Sequence, residues 1–243
     1  MTVDAAFREA YAERRAAEGR GQQCLSLPYV REGPLAKQWG VRACSFEALA
    51  RFVAGARPRR VLDLGAGNGW LSYRLALTGI TSVAVDMRDD DVDGLGAAIC
   101  YLDQPFGRFE RIGASFEALP LKSGSFDMVI FNASLHYAID LDATLGEARR
   151  VTRRGGHIVI IDSPFYARER DGEAMVREKK ASGAYGATLL APPFIEYLTR
   201  ERLPEWRRHR VWYPLWYELR PVVAWMKKTR RPSRFDLWET IVS

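Results

Sequence analysis

A glycine-rich turn after a short apolar run is the feature that most constrains how this chain can fold. Val61–Leu64 precedes Gly65-Ala66-Gly67-Asn68-Gly69, and the helix-like segment Leu71–Ala76 follows. A strand that leads through glycines into a helix lets a ligand approach the backbone without meeting side chains. The nicotinamide fingerprint Gly-x-Gly-x-x-Gly would need its third glycine at Trp70, so the spacing disfavours that class of site.

A second apolar run ends in an acidic residue. Ser82–Val85 is followed by Asp86, which lies about 20 positions after the glycines. A carboxylate at the end of a strand beside the glycine turn can accept hydrogen bonds from both ribose hydroxyls of a nucleotide-like cofactor. Asp86 could also act as an N-cap for the following segment, and the two roles are compatible.

Two further segments follow in a characteristic order. Residues 113–120 lead through Ser123-Gly124 into the apolar run 126–132, and residues 147–156 end in a Gly-Gly turn before the run 157–162. Together these motifs resemble the class I S-adenosylmethionine (SAM) methyltransferases, in particular the type 11 group of bacterial enzymes that act on small molecules. The resemblance covers residues 59–164. It implies an α/β fold with a doubly wound, Rossmann-like, seven-stranded and mostly parallel sheet, its last strand antiparallel, and a variable helical lid after strand five.

The same resemblance implies SAM as the cofactor and no metal ion. Where the family usually has an adenine-binding Asp, this chain has Ser115, whose neutral hydrogen bond is weaker than a charge-assisted one. We therefore expect Phe116 to contribute more to adenine recognition. The acidic run Asp89–Asp93 is expected to cap a helix rather than bind a metal ion. The residues expected to contact the cofactor are Asp63, Gly65, Ala66, Gly67, Asn68, Gly69, Asp86, Met87, Ser115, Phe116 and Asn132.

Methyl transfer from a sulfonium depends mainly on in-line positioning, and a protein base is needed only if the acceptor must lose a proton. His136 follows the fourth predicted strand, at the sheet edge where ligands of such folds bind. An unperturbed imidazole titrates near neutrality, which suits a general base. Alternatively, His136 hydrogen-bonds the loop or the edge of the cofactor. Tyr137 is expected to orient His136, contact the substrate or form the pocket wall.

The sequence lacks the motifs that are typical of other enzyme classes. The sequence contains no Gly-x-Ser-x-Gly elbow, no phosphate-binding Gly-x-x-x-x-Gly-Lys-Ser/Thr loop and no His-Glu-x-x-His helix. Asn132-Ala133-Ser134 does not match the Asn-Pro-Pro-Tyr signature of methyltransferases that modify base or glutamine nitrogens, which disfavours a nucleic-acid substrate. We therefore expect methyl transfer to a small-molecule or lipid-like acceptor. The alternatives are a SAM-binding scaffold or regulator without catalysis, and an RNA methyltransferase that uses the basic C-terminal tail.

That tail is both basic and aromatic. Residues 200–243 contain eleven Lys or Arg and five Asp or Glu, which equals the net charge of +6 of the whole chain, and five of its seven tryptophans. This composition predicts an anionic partner, such as a nucleic acid, a lipid headgroup or an acidic substrate, or else an aromatic interface with a solvated rim. If 214–231 packs as a helix, we expect its tryptophans to face inward and its basic residues outward, where they would allow peripheral membrane contact. These basic residues are Lys227, Lys228, Arg230 and Arg231.

The chain is long enough for a complete hydrophobic core, and a single domain is predicted over residues 1–243. It divides into an N-terminal helical cap (about 1–44), a core (about 45–163), a lid (about 164–205), and C-terminal strands with a basic helix (about 206–243). Ser45 is expected to cap a helix, and residues 210–213 are expected to form a strand. Without a signal-peptide pattern, a membrane-spanning run or closely paired cysteines, the sequence predicts a reducing, cytoplasmic location; it does not indicate an oligomeric state.

Overall fold

The computed structural model describes residues 5–18, 24–181 and 194–243. Part of the predicted lid, residues 182–193, lies outside these described residues, as do residues 1–4 and 19–23. The helices are α1 (Ala5–Ala17), α2 (Ala36–Ala56), α3 (Trp70–Ala76), α4 (Ile99–Leu102), α5 (Leu141–Val151), α6 (Glu169–Ala181), α7 (Leu215–Glu218) and α8 (Arg220–Met226). The strands are β1 (Arg60–Leu64), β2 (Thr81–Asp86), β3 (Glu110–Gly113), β4 (Phe126–Asn132), β5 (Thr152–Ile161), β6 (Phe165–Tyr166), β7 (Leu198–Thr199), β8 (Arg207–His209) and β9 (Leu237–Ile241).

Seven of these strands form one sheet in the order β3-β2-β1-β4-β5-β9-β8. The strands from β3 to β5 are parallel, whereas β9 runs antiparallel to both β5 and β8. Parallel neighbours need crossover connections, which α3 provides between β1 and β2 and α5 provides between β4 and β5. The predicted doubly wound sheet with an antiparallel last strand is confirmed. Its strand order reverses between β1 and β4, which opens a crevice at the carboxyl edge.

Apolar layers cover both faces of the sheet. Val61 of β1 packs into the layer that contains α2 and α3, whereas Leu62 and Leu64 pack into the layer that contains α5. All three side chains are fully buried. A strand buried on both faces reads as an almost continuous apolar run, which explains the sequence pattern of β1.

The predicted helix cap at Ser45 is wrong. Helix α2 begins at Ala36 and crosses the predicted boundary between cap and core, so Ser45 lies inside the helix. Its buried hydroxyl donates a hydrogen bond to Asp162 Oδ1 and lies 2.8 Å from the Tyr213 hydroxyl oxygen. A buried carboxylate needs hydrogen-bond donors, and Ser45 is used for this tertiary contact instead of a cap.

The C-terminal segment also differs from the prediction. Strand β8 ends at His209, before the predicted strand 210–213, because the Val211 amide donates to the Asp236 side chain at 3.0 Å instead of to a neighbouring strand. In place of the single helix predicted over 214–231 there are two short helices, α7 and α8, which meet at Leu219. Their inward face consists of Tyr217 and Ala224.

The expectation that the tryptophans of this segment face inward is wrong. Trp216 and Trp225 are exposed, and so is Trp212, which precedes the segment. Tyr217 takes the inward position instead, because its ring lies 4.2 Å from that of Tyr213 and its hydroxyl accepts the Phe235 amide at 3.2 Å. Among residues 5–18, 24–181 and 194–243, no helix combines the length and the apolar character needed to span a bilayer.

Asp127 joins β4 to the start of β1. Its Oδ2 accepts the amides of Arg59 and Arg60, both at 2.8 Å, and its Oδ1 accepts Arg153 Nε at 2.6 Å. Burial raises the pKa of Asp127, but the hydrogen bonds from Arg153 and the two amides outweigh it and hold the pKa below its usual value. The carboxylate therefore stabilises the register of the central strands.

We predict that Asp127→Ala lowers the free energy of unfolding by about 1.5–3 kcal/mol, because two strand amides lose a charged acceptor. This contribution is fully present above roughly pH 4, the pKa of Asp in the unfolded chain, and is lost as the pH falls through the lower folded pKa. Urea unfolding across that pH range measures it. Asp103→Ala, an exposed carboxylate in a loop, is the matched control, and an equal loss in both variants would contradict the assignment.

Candidate active site

A cavity of about 940 Å³, including its open mouth, lies at the carboxyl edge of the sheet. Predicted site residues on its wall are Gly65, Ala66, Gly67, Asn68, Asp86, Met87, Phe116, Asn132 and Tyr137. Eleven further residues on this wall were not among the predicted site residues: Tyr11, Arg15, Trp39, Arg42, Trp70, Arg88, Asp93, Ala114, Ala133, Ser134 and Phe194.

The glycine turn forms one wall of this cavity. The amides of Gly65 and Ala66 both donate to the Val85 carbonyl, at 2.8 and 3.0 Å, which ties the turn to β2. Gly65 has a φ of +75°, and a Cβ there would overlap the Ser134 side chain and lie 2.9 Å from the Phe116 ring. Only glycine fits at this position, because Ser134 and the Phe116 ring pack against the turn there.

Asp86 is the acidic group on the same wall. Its Oδ2 accepts the Gly67 amide at 2.8 Å and its Oδ1 accepts the Arg88 amide at 2.9 Å. Burial raises the pKa of Asp86, and the opposing effect of Arg88 and the two amides only partly offsets it. The carboxylate therefore holds the glycine turn against the end of β2 while facing the cavity.

Three residues predicted to contact the cofactor lie behind the cavity wall. Asp63 is fully buried and accepts the Ser72 hydroxyl at 3.0 Å, and burial raises its pKa to about 7. Gly69 begins α3 with a φ of +78°, and its missing Cβ makes room for the Phe109 ring, which is a packing role. The Ser115 hydroxyl donates to the Glu117 carboxylate, so Ser115 faces away from the cavity that its neighbours line.

The acidic run Asp89–Asp93 forms its own loop and does not cap a helix, contrary to the expectation. Asp90 Oδ1 accepts the amides of Val92, Asp93 and Gly94 at 2.9–3.2 Å. The short 3-10 turn Leu95–Ala98 that follows has no side-chain cap. Within the described ranges, no group of three or more His, Cys, Asp or Glu residues is arranged to hold a metal ion.

His136 is close to the cavity but does not line it. Its Nδ1 lies 3.4 Å from the Ser163 hydroxyl, and its ring packs 4.3 Å from that of Tyr137. Burial lowers the pKa of His136 to about 3, and the positive charges of Lys179, Arg42 and Arg15 act in the same direction. The expectation of a histidine that titrates near neutrality is therefore wrong. The imidazole is neutral at physiological pH, but it is a weak proton acceptor.

Tyr137 lines the cavity. Its surroundings favour the charged phenolate, whereas those of His136 favour the neutral imidazole. The Tyr137 hydroxyl accepts hydrogen bonds from the Tyr11 hydroxyl at 3.3 Å and from Arg15 Nη2 at 3.5 Å. Burial raises the pKa of Tyr137, but the Arg15 guanidinium and the Tyr11 hydrogen bond outweigh it and lower the pKa. Burial and the neighbouring Tyr137 raise the pKa of Tyr11, so Tyr137 is the more acidic member of the pair.

Helix α1 therefore supplies a part of the site. Tyr11 and Arg15 are four residues apart, which places them on one helix face. The Arg15 guanidinium also lies 4.5 Å from the Tyr11 ring and 3.6 Å from Asp93. The spacing of Tyr11 and Arg15 is the only signal of this cluster in the sequence, and it does not show that they contact Tyr137.

The part of the predicted lid that begins at Phe194 also reaches the cavity. The Phe194 ring lies 5.5 Å from that of Tyr137. The Ile195 amide donates to the Ala138 carbonyl and the Glu196 amide to the His136 carbonyl, both at 2.9 Å. These bonds tie this segment to the loop that carries His136 and Tyr137.

Comparison with known proteins agrees with this arrangement. Residues 62–160 match the family model described as a methyltransferase domain. These residues form a class I SAM-dependent methyltransferase domain. The chain is 34% identical over 150 residues to malonyl-[acyl-carrier protein] O-methyltransferase from Geobacter sulfurreducens, which covers 58% of this chain and 49% of that protein. It is 31% identical over 132 residues to arsenite methyltransferase from Aquipseudomonas alcaligenes, which covers 51% of this chain and 38% of that protein.

The fold is also found in solved structures. The YcgJ protein from Bacillus subtilis superposes with a TM-score of 0.53 at 17% identity, over 80% of this chain and 95% of that one. The methyltransferase domain confirms the predicted family and its cofactor, SAM. The chain spans about half the length or less of the curated relatives it matches, and these relatives act on different acceptors.

We predict that the ring of His136 shows no protonation between about pH 5 and about pH 8, because burial and nearby cations disfavour the imidazolium. NMR titration of the histidine side chains, with His136→Asn to assign the signal, measures this. A histidine in a short peptide, measured in the same buffer, gives the reference titration for an exposed ring. A midpoint near 6.5 for His136 would contradict the described environment.

Proposed function

We propose that this protein is an enzyme that transfers the methyl group of SAM to a small-molecule or lipid-like acceptor. The observation that carries the proposal is a single cavity that connects the glycine turn of the methyltransferase domain with the hydroxyl of Tyr137, whose pKa is lowered by Arg15. The glycine turn is a site for the cofactor, and Tyr137 as a phenolate is a group that can accept a proton. A cytoplasmic location is part of this proposal.

The residues of the cavity fit the cofactor. Gly65, Ala66 and Gly67 lie on the cavity wall, where a ligand can approach the turn with few side chains in the way. Each oxygen of Asp86 accepts one amide and keeps a further lone pair, so the carboxylate can still accept the ribose hydroxyls. Met87 and Phe116 offer apolar surface to the adenine. When bound, SAM supplies an electrophilic methyl group on a sulfonium.

Tyr137 is the residue that we assign as the base where the acceptor must lose a proton. The Arg15 guanidinium stabilises the phenolate, so a proton from the acceptor can move to Tyr137 Oη as the acceptor attacks the methyl carbon. His136 keeps a supporting role in this proposal, because its ring packs against Tyr137 and its imidazole is a weak base. Orientation of the acceptor in line with the methyl group supplies the larger share of the reduction in the activation barrier, about 7–11 kcal/mol in favourable cases.

The acceptor side of the cavity is positively charged and aromatic. Arg15 and Arg42 line it together with Trp39 and Phe194. Both arginines lie close enough to lower the pKa values of His136 and Tyr137. Such surroundings favour an acceptor that is anionic, or becomes anionic on deprotonation, and that has an apolar part. The names of the two relatives give malonyl-[acyl-carrier protein] and arsenite as acceptors, which differ too much to indicate an acceptor for this chain.

We predict that Asp86→Asn weakens SAM binding about ten- to a hundredfold, because a charged acceptor for the ribose and for the glycine turn is lost. Isothermal titration calorimetry measures the affinity. Asp89→Asn makes the same charge change in an exposed position of the neighbouring loop, and we expect it to bind SAM normally. Unchanged affinity in Asp86→Asn would remove Asp86 from the cofactor site.

We predict that Tyr137→Phe lowers turnover on the order of 10²–10⁴-fold while SAM affinity changes little, because the acceptor loses its base. Turnover is measured with labelled SAM and a panel of carboxylic, phenolic, thiol and lipid acceptors. Tyr29→Phe removes an exposed hydroxyl elsewhere and is the matched control.

The same panel separates the alternatives. SAM binding without transfer to any acceptor would favour the scaffold or regulator. Transfer to RNA, but not to small molecules or lipids, would favour the RNA methyltransferase. Normal turnover in Tyr137→Phe would leave positioning as the whole of catalysis.

A further inference from the structure

Apolar side chains are concentrated on one short stretch of the surface. Eight of the fourteen large apolar side chains that are exposed in the described residues lie between positions 212 and 226. Trp225 is 78% exposed, Met226 70% and Trp212 69%. Several large exposed apolar side chains within one short segment are typical of an interaction site. This surface, the α7–α8 face, consists of Trp212, Leu215, Trp216, Leu219, Val222, Val223, Trp225 and Met226.

The helices present this face outward by their register. Leu215, Leu219, Val222 and Met226 are spaced by four, three and four residues, which aligns them along one side of consecutive helical turns. The buried positions, Tyr217 and Ala224, are seven residues apart. The helices thus use a narrow stripe for packing on the protein, and a wider apolar stripe remains available to another surface.

Basic residues without acidic partners border the α7–α8 face. Lys227, Lys228 and Arg231 follow α8, are exposed, and form no ion pair with the described part of the chain. Arg210 and Arg230 differ from them, since they pair with Glu218 and Glu178. On the other flank, Lys37 Nζ lies 4.7 Å from the centre of the Trp216 ring.

A groove beside α8 adds further positive charge. Arg168, Arg170 and Arg231 line it next to Val222 and Trp225. One acid, Asp171, is also on its wall, and its Oδ1 accepts the Arg231 amide at 3.2 Å. Arginine side chains bind phosphate oxygens in a bidentate manner, so the groove suits phosphate groups that lie beside an apolar surface.

We propose that the α7–α8 face docks on a lipid bilayer that contains anionic phospholipids. Its tryptophans and aliphatic side chains would enter the boundary between headgroups and acyl chains, where Trp is favoured. Lys227, Lys228 and the arginines of the groove would contact the phosphates. The combination of an apolar stripe with a basic border is complementary to an anionic bilayer, which offers apolar and negative groups at adjacent depths.

The position of this face in the fold agrees with the proposal. Strand β8 runs parallel to β5, and β9 runs antiparallel to both, so the connection 210–236 lies at the carboxyl edge of the sheet. The candidate active site opens at the same edge. Docking through α7 and α8 would therefore hold that edge near the bilayer. The docking step is independent of methyl transfer and can be measured without SAM.

Co-sedimentation of the full chain with vesicles tests the proposal. We expect binding to phosphatidylcholine vesicles that contain phosphatidylglycerol, weaker binding to phosphatidylcholine alone, and a loss of binding at high salt. The double variant Trp225→Ser, Met226→Ser should lower the partition coefficient at least about tenfold, because two large apolar side chains no longer enter the bilayer. The triple variant Lys227→Gln, Lys228→Gln, Arg231→Gln should lower it about ten- to a hundredfold.

Two matched controls make these results specific. Phe106→Ser removes an equally exposed apolar side chain outside the face, and Arg108→Gln, Lys122→Gln, Arg154→Gln removes three exposed charges elsewhere. Both controls should bind vesicles as the unchanged chain does. Circular dichroism and SAM affinity should be unchanged in all four variants, which would show that each one is folded.

Three outcomes would overturn the proposal. The first is equal binding by the α7–α8 variants and their controls, or no binding of the unchanged chain to anionic vesicles. The second is a dimer in solution that Trp225→Ser, Met226→Ser dissociates, which would assign the face to a second copy of the chain. The third is binding to RNA, but not to vesicles, that depends on Lys227, Lys228 and Arg231. None of these outcomes bears on methyl transfer, which the acceptor panel tests separately.

Discussion

The attachment of the glycine turn to β2 is the interaction on which the candidate site depends. The Val85 carbonyl accepts two amides of the turn, and the Asp86 carboxylate accepts a third. These bonds hold uncovered backbone at the carboxyl edge of the sheet, directly beside β4 and the loop that follows it. Because the strand order reverses there, the crevice has a wall on each side, and a flexible turn at this place would not form a cavity.

On the side of the cavity formed by Tyr137, neighbouring positive charges shift the pKa values of Tyr137 and of the adjacent His136. Protonating His136 at neutral pH costs on the order of 5 kcal/mol, since its pKa is lowered to about 3 and each unit corresponds to about 1.4 kcal/mol. The cations responsible for part of this effect also stabilise the phenolate of Tyr137. One set of positive charges thus disfavours the imidazolium and favours the phenolate. These charges are the reason that we propose the Tyr137 phenolate, not His136, as the proton acceptor, and they come from Arg15, Arg42 and Lys179, which lie far from both residues in the sequence.

Local patterns were sufficient to predict the sheet and the glycine turn, but not the orientation of individual side chains. Asp63 illustrates this, because β1 is buried on both faces and its apolar run does not reveal which side faces the cavity. Tyr11 and Tyr137 are separated by 126 positions, so their contact arises only when α1 packs over the completed sheet. Likewise, the alternation of Trp and Arg in the tail does not distinguish an inward from an outward tryptophan.

The outward tryptophans are not a consequence of a loosely held segment. Arg234 donates to Glu218 at 2.8 and 3.0 Å, to Asp236 at 3.0 Å and to the Val211 carbonyl at 2.9 Å, and it therefore joins both ends of the connection. Tyr217 adds a second attachment through its bond with the Phe235 amide. A rigid frame that leaves its larger apolar stripe uncovered loses little further conformational entropy when another surface covers that stripe. Such preorganisation lowers the cost of binding, and only Tyr217 and Ala224 of α7 and α8 are buried against the protein itself.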